Sequence, residues 1–189
     1  PGRATSYAII PQSYAKTVKE ELPEVEDAVR VFNFFNNGTF QLRYNDKRFE
    51  ETKVFFVDPT FFDIFSTEFI YGSSKECLLK PNSAVVTETT AIKYFGSADQ
   101  AVGKILQPEG QNSEPIEIKA VCKDWPENSH FTFNLLMTTV GQDNFEDVNY
   151  VGFSAYTYLL LNANTSPEKV EAIFPNIIIK FAAGDIEKK

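Results

Sequence analysis

Apolar positions recur at helical spacing over residues 11–22, where Tyr14, Ala15, Val18 and Leu22 share one face and Pro23 closes the run, so a first helix is predicted there. Three runs rich in β-branched and aromatic residues follow, at 25–35, 39–44 and 49–57, with turn chemistry at Asn36-Asn37-Gly38 and Asn45-Asp46-Lys47; they read as a strand meander. In the middle run Phe40, Leu42 and Tyr44 alternate with Thr39, Gln41 and Arg43, the pattern of a strand with one buried and one wet face. Asp58-Pro59 then reads as an N-cap and a proline at the first helical position, opening a short helix through Phe61, Phe62, Ile64 and Phe65.

Further along, a strand at 84–86 runs into Thr87, which caps a helix carrying Ala91, Ile92, Tyr94 and Phe95 and ending at Gly96. Ser97 and Gln100 stand at capping-box spacing before a short turn that ends at Gly103. Strands are predicted at 104–106, 116–122, 133–137 and 155–161. Ser166-Pro167-Glu168 opens a last helix with an apolar stripe of Val170, Ile173, Phe174, Ile177, Ile178 and Phe181. Pro175 lies inside that stripe and is expected to kink the helix or split it. The order of elements predicts an α+β fold in two lobes. Lobe 1, residues 1–58 plus 152–189, is discontinuous, and lobe 2, residues 59–151, is inserted in it.

Composition changes this picture only by exclusion. With 43% hydrophobic residues and 18 Phe in 189 positions, the chain can build a core without metal or disulfide support. A formal charge of −8, with the basic residues scattered, argues against nucleic acid as a partner, because neutralising phosphates needs clustered Lys and Arg. No apolar stretch approaches the roughly 20 residues of a spanning helix. The opening Pro1-Gly2-Arg3, without a charged and then apolar leader, fits a segment cut from a longer polypeptide. Cys77 and Cys122 could form one disulfide, but free thiols are the favoured reading, because Cys122 follows Ile116, Ile118 and Ala120 at strand period as a small buried residue.

Candidate chemistry is sparse, and no catalytic, cofactor-binding or metal residue is assigned. The single histidine, His130, has no second His and no Cys cluster to join, so a structural role in its turn is expected. Ser13-Tyr14-Ala15-Lys16 and Ser166-Pro167-Glu168-Lys169 match the S-x-x-K pattern of acyl-serine enzymes. Neither has the companion S-D-N and K-T-G motifs, and Ser166 is better placed as an N-cap. The nine glycines contain no phosphate-binding loop, and Asp143, Glu146 and Asp147 lack calcium-loop spacing. The aromatic groups Phe32, Phe34 and Phe35, then Phe55 and Phe56, then Phe61, Phe62 and Phe65 are expected to be core, with an exposed interaction patch as the alternative.

Several segments together resemble a known family. They are Leu22-Pro23-Glu24-Val25-Glu26 with Ala28-Val29-Arg30; Val57-Asp58-Pro59-Thr60-Phe61-Phe62-Asp63-Ile64-Phe65; and Ala84 through Thr87 leading to Ala91-Ile92-Lys93-Tyr94-Phe95-Gly96, then Val102-Gly103-Lys104. Asp124, Pro126, Asn128, Ser129, His130 and Phe133 follow, and then 156–161 with Ser166-Pro167-Glu168-Lys169-Val170-Glu171. In this order they are similar to the MacB-like periplasmic core domain of MacB- and FtsX-type ABC permeases. The resemblance implies a porter-like α/β sandwich lobe for lobe 1 and a mixed α/β lobe inserted in it. It also implies a position on the periplasmic side of the inner membrane, between two transmembrane helices.

The same resemblance implies no catalytic residue and no cofactor. Its partners would be a cytoplasmic ABC ATPase reached through the membrane portion, a second permease copy, and a periplasmic adaptor or cargo protein; cut free of the membrane, the domain is expected to be monomeric. The alternatives are a free-standing periplasmic ligand-binding protein and a serine hydrolase using Ser13 and Lys16.

Overall fold

The computed structural model describes residues 8–33, 38–110, 113–146 and 148–186. In chain order the elements are β1 (Ile10–Pro11), α1 (Ser13–Glu21), β2 (Val25–Phe32), β3 (Phe40–Tyr44), β4 (Lys47–Glu51), β5 (Val54–Val57), α2 (Phe61–Ile64), β6 (Phe69–Tyr71) and β7 (Ser83–Thr87). They continue with α3 (Glu88–Phe95), β8 (Ile105–Pro108), β9 (Ile116–Cys122), β10 (Leu135–Thr138), β11 (Phe153–Leu161) and α4 (Pro167–Ile186). The chain divides into two compact units: unit 1 is Pro1–Phe32 with Asp143–Lys189, and unit 2 is Asn33–Gln142.

In unit 1, β11 pairs antiparallel with β2, Tyr156 opposite Val31 through Leu161 opposite Val25, and with the two-residue β1 on its other edge. The helical face predicted for α1 is the face that is buried. Tyr14, Val18 and Leu22 pack with Val25 and with Val170 and Ile177 of α4, and Ile173, Phe174 and Phe181 lie against them. Tyr14 meets Tyr150 edge-on at 5.3 Å and Phe174 at 5.6 Å between ring centroids. The α4 helix runs unbroken through Pro175, so the expected split does not occur. A proline within a helix removes one backbone bond and crowds the preceding turn. Packing of Val170 and Ile177 on either side of it holds the two halves in one helix.

Unit 2 is a mixed sheet. The parallel pairs are β5 with β10 and β7 with β9, while β10 pairs antiparallel with β7. Because β7 occupies one full edge of β9, β8 and β6 share the other, β8 at Ile116 and Glu117 and β6 at Val121 and Cys122. The run expected as one strand over 49–57 is two, β4 and β5. The first pairs with β3 as a hairpin and the second with β10.

The meander is likewise not formed: β2 belongs to unit 1, whereas β3 pairs with β4 and β8. Residues 34–37, with Phe34, Phe35 and the turn expected there, lie outside the described residues. The alternation in β3 holds, with Leu42 buried and Gln41 and Arg43 exposed. Gly72 (φ +84°) lies so close over β9 that a Cβ on it would stand 2.4 Å from the Lys119 carbonyl oxygen.

Capping signals fare unevenly. Thr87 Oγ1 accepts from Thr90 N at 3.4 Å, and Gly96 closes α3 in the left-handed region at φ +87°, both as expected. The box at Ser97 and Gln100 does not form, since Gln100 Nε2 donates instead to Asp99 Oδ2 at 3.0 Å. Asp58 is not the cap of α2. The helix begins two residues later than expected, at Phe61, and the Asp58 carboxylate accepts from Thr139 Oγ1 at 3.0 Å.

The compact units change over after Phe32 and after Gln142, a different division from the lobes 1–58 plus 152–189 and 59–151 expected from the sequence. The cause is pairing. Strands β3 to β5 bond to β8 and β10, while the segment after Gln142 bonds back to the start of the chain: Gln12 Nε2 to the Asn144 oxygen, Asn149 N to Ser13 Oγ, and Arg30 Nη1 to the Phe145 oxygen.

Candidate functional site

The S-x-x-K residues take structural positions. Ser13 Oγ accepts from the backbone N–H of Asn149 at 2.7 Å, and Lys16 is exposed on α1 with Glu20 at 3.9 Å. Ser166 precedes α4, where its hydroxyl bonds the Glu168 carboxylate. The backbone bond that Glu168 accepts, and then the Ser166 hydroxyl, hold its carboxyl below the usual range. Lys169 turns to Glu24 at 2.7 Å, and this bond holds the Glu24 carboxyl low as well.

His130 is exposed, its ring edge-on to Phe131 at 6.4 Å. Asp143 opens a one-turn 3-10 segment, Asp143–Phe145, and Glu146 follows it with its N–H donating to the Asp143 oxygen; Asp147 lies outside the described residues. Among the described residues no three His, Cys, Asp or Glu side chains gather closely enough to hold a metal ion. Cys77 and Cys122 are free, buried thiols, and burial pushes both up to about 12.

Two arrangements remain. In unit 1 an open groove of about 320 Å³ is lined by Ile10 and Pro11 of β1, Tyr14, Tyr150, Phe153 and the α4 residues Phe174 and Ile178. Its wall is apolar and aromatic, and the Tyr150 hydroxyl is engaged with Thr17 Oγ1 at 2.8 Å. Phe153 is 61% and Ile178 39% exposed at its rim, so the groove can take apolar material.

In unit 2 the Glu51 carboxylate, 2% exposed, collects three donors. Lys93 Nζ at 2.5 Å and Tyr94 OH at 2.8 Å meet Oε1, and Asn134 Nδ2 at 2.6 Å meets Oε2. Burial, and then the neighbouring carboxylate as acceptor of its hydrogen bond, push the Tyr94 hydroxyl far above its ordinary range. In the same unit Phe61 is fully buried within a wall of rings formed with Phe62, Phe65, Trp125, Phe131 and Phe133. Phe61 and Phe32, fully buried, and Phe55 and Phe56, buried a little less completely, are core as expected, while Phe62 and Phe65 are half-buried.

Sequence reasoning singled out neither Glu51 nor Asn134. A signal for Glu51 existed, because it stands two residues from Phe49 and so shares the inward phase of β4, a position where a carboxylate demands partners. The Lys93-Tyr94-Phe95-Gly96 motif is explained by the same contacts. Lys93 and Tyr94 hold Glu51, Phe95 meets Tyr44 edge-on at 4.8 Å, and Gly96 ends the helix.

Comparison with known proteins agrees with this architecture. No curated protein matches the chain. A domain of a putative permease protein from Porphyromonas gingivalis superposes with a TM-score of 0.79 at 25% identity, covering 93% of this chain and 79% of that one. The periplasmic region of MacB from Actinobacillus actinomycetemcomitans superposes with a TM-score of 0.65 at 12% identity, covering 90% and 73%, a likeness of fold. Since the family model described as MacB-like periplasmic core domain matches residues 1–177, nearly the whole sequence, the chain belongs to the MacB-like periplasmic core domain family of ABC transporter permeases.

Proposed function

We propose that this domain sits on the periplasmic side of the inner membrane as part of an ABC transporter permease, and that it couples ATP hydrolysis by a cytoplasmic ATPase to efflux, extraction or signalling outside. The observation that carries the reading is the family match over residues 1–177, joined to a fold shared with the periplasmic region of MacB. The composition of unit 1 supports it. Segments from both ends of the chain, Pro1–Phe32 and Asp143–Lys189, build one unit, as a domain inserted between two membrane helices requires. No helix among the described residues is long and apolar enough to cross a membrane.

The division into lobes is part of the same proposal, with unit 2 as the lobe inserted in unit 1. A second permease copy and a periplasmic adaptor or cargo protein are the partners it calls for. The apolar groove of unit 1 favours a second reading, a free-standing periplasmic protein that binds an apolar ligand.

Fractionation of the source cells with an antibody to this domain separates the two readings. A permease domain stays with the membrane through high-salt extraction and is cut by protease added to spheroplasts. Recovery as a soluble periplasmic protein of about the domain's own 21.4 kDa would overturn the permease reading and leave the ligand-binding one.

A further inference from the structure

The hairpin β3–β4 meets the rest of unit 2 along a short pairing, with Leu42 of β3 as its one fully buried apolar side chain. Strand β4 is an edge paired only with β3 among the described residues, and β3 meets β8 in two pairs, Leu42 opposite Pro108 and Arg43 opposite Gln107. Glu109 N adds one bond to the Gln41 oxygen at 2.9 Å, and Arg48 reaches Glu109 at 2.8 Å on the surface, a pair screened by water. Toward α3 the arm offers rings: Phe49 lies 4.0 Å from Tyr94 and Tyr44 4.8 Å from Phe95.

At the base of this arm, where β4 gives way to β5, stands the buried Glu51. Its carboxylate closes a circuit. Lys93 and Tyr94 in the last turn of α3 hold one oxygen and Asn134 the other. Asn134 in turn donates its backbone N–H to the Lys53 oxygen at 2.8 Å and accepts from Thr87 N at 3.2 Å, and Thr87 caps the first turn of α3. One side chain thus joins the foot of the arm to both ends of α3 and to the lead into β10.

Such a group is a poor means of gaining stability, since a packed apolar residue of similar volume commonly does as well. What it does select is geometry, because only one placement of the arm satisfies every bond and any other leaves a buried carboxylate short of donors. We propose that Glu51 is a latch: it sets the closed position of the β3–β4 arm against α3, and the arm opens as a local unit, ahead of the rest of unit 2, when the latch is broken. This does not rest on the transport reading.

Hydrogen–deuterium exchange of this chain, read by mass spectrometry peptide by peptide, tests the latch with Glu51→Gln, which keeps the shape but presents an amide N–H₂ where the carboxylate accepted. The expected result is exchange faster by about tenfold or more in β3 and β4, the loss of a charge-assisted bond, with β7, β9 and β10 unchanged. Acceleration spread evenly over unit 2 would make Glu51 an ordinary contributor to global stability and overturn the latch, as would an arm that exchanges as in the parent. Should Glu51→Gln fail to fold, Lys93→Met at its 47% exposed position removes the ammonium while keeping the Tyr94 and Asn134 bonds. The same localised, smaller acceleration is then expected, and an even or absent one overturns the proposal.

Discussion

At the scale of single residues, polar groups in this domain are placed by what they can bond. The Glu51 carboxylate is tolerated at 2% exposure because three donors converge on it. Thr138 is wholly buried because its hydroxyl donates to the Leu78 oxygen at 2.6 Å.

The two thiols obey the same rule from the other side. Burial disfavours their anions and raises both from 9.0 to about 12. In mildly alkaline buffer their thiolate population is lower than that of a free cysteine by about a thousandfold. A disulfide-exchange reagent such as Ellman's is therefore expected to leave the native protein untouched over minutes and to titrate two thiols once denaturant is added. Rapid native labelling would show that the site opens. A group whose folded value is raised contributes stability that is complete below its unfolded value and lost as pH climbs through the folded one. The thiols' share should hence fade between pH 9 and about 12, and Cys122→Val should flatten that decline.

At the scale of elements, local signals acted where nothing tertiary competed with them. Thr87 and Gly96 bound α3 as their chemistry demands, because an N-cap hydroxyl and a left-handed glycine need only their own helix. Asp58 lost its capping role because Thr139 offered its carboxylate a donor, and Ser97 lost its box because Gln100 turned to Asp99.

Pro175 shows the opposite balance. Its missing N–H and its ring against the carbonyl of Glu171 work against the helix, yet Val170 and Ile177 are both seated in the core and carry the helix through. Pro175 itself is exposed, so Pro175→Ala should restore the bond without loss of packing. A gain of about 1–3 kcal/mol in urea unfolding is expected. A loss would mean that the proline ring itself supports the fold of unit 1.

At the scale of the whole molecule, the chain leaves unit 1 after Phe32 and returns to it at Asp143, so unit 2 is one uninterrupted stretch with its own mixed sheet and core. A continuous stretch of this length, with a core of its own, is of the size that can fold alone. Residues 33–142 expressed by themselves are expected to unfold cooperatively by circular dichroism. A gradual, non-cooperative loss of signal would show that unit 2 depends on unit 1. The membrane fractionation described above decides whether the domain serves a permease.

Much of this was legible in the sequence. The period-three-to-four face of Tyr14, Val18 and Leu22, the alternation in β3, the caps of α3 and the strand at 116–122 are set by residues within a few positions of one another. The ordered motifs that carry the family lie there too. Only the tertiary structure decided which strands pair. Pairing is chosen by partners far along the chain, and it split the run 49–57 between two sheet positions, took β2 from its sequence neighbours, moved the unit boundaries and let β6 and β8 share one edge of β9. The burial of Glu51 belongs with these: its phase along β4 could be read, but its three donors come from positions 93, 94 and 134, and only folding brings such distant groups within reach of one carboxylate.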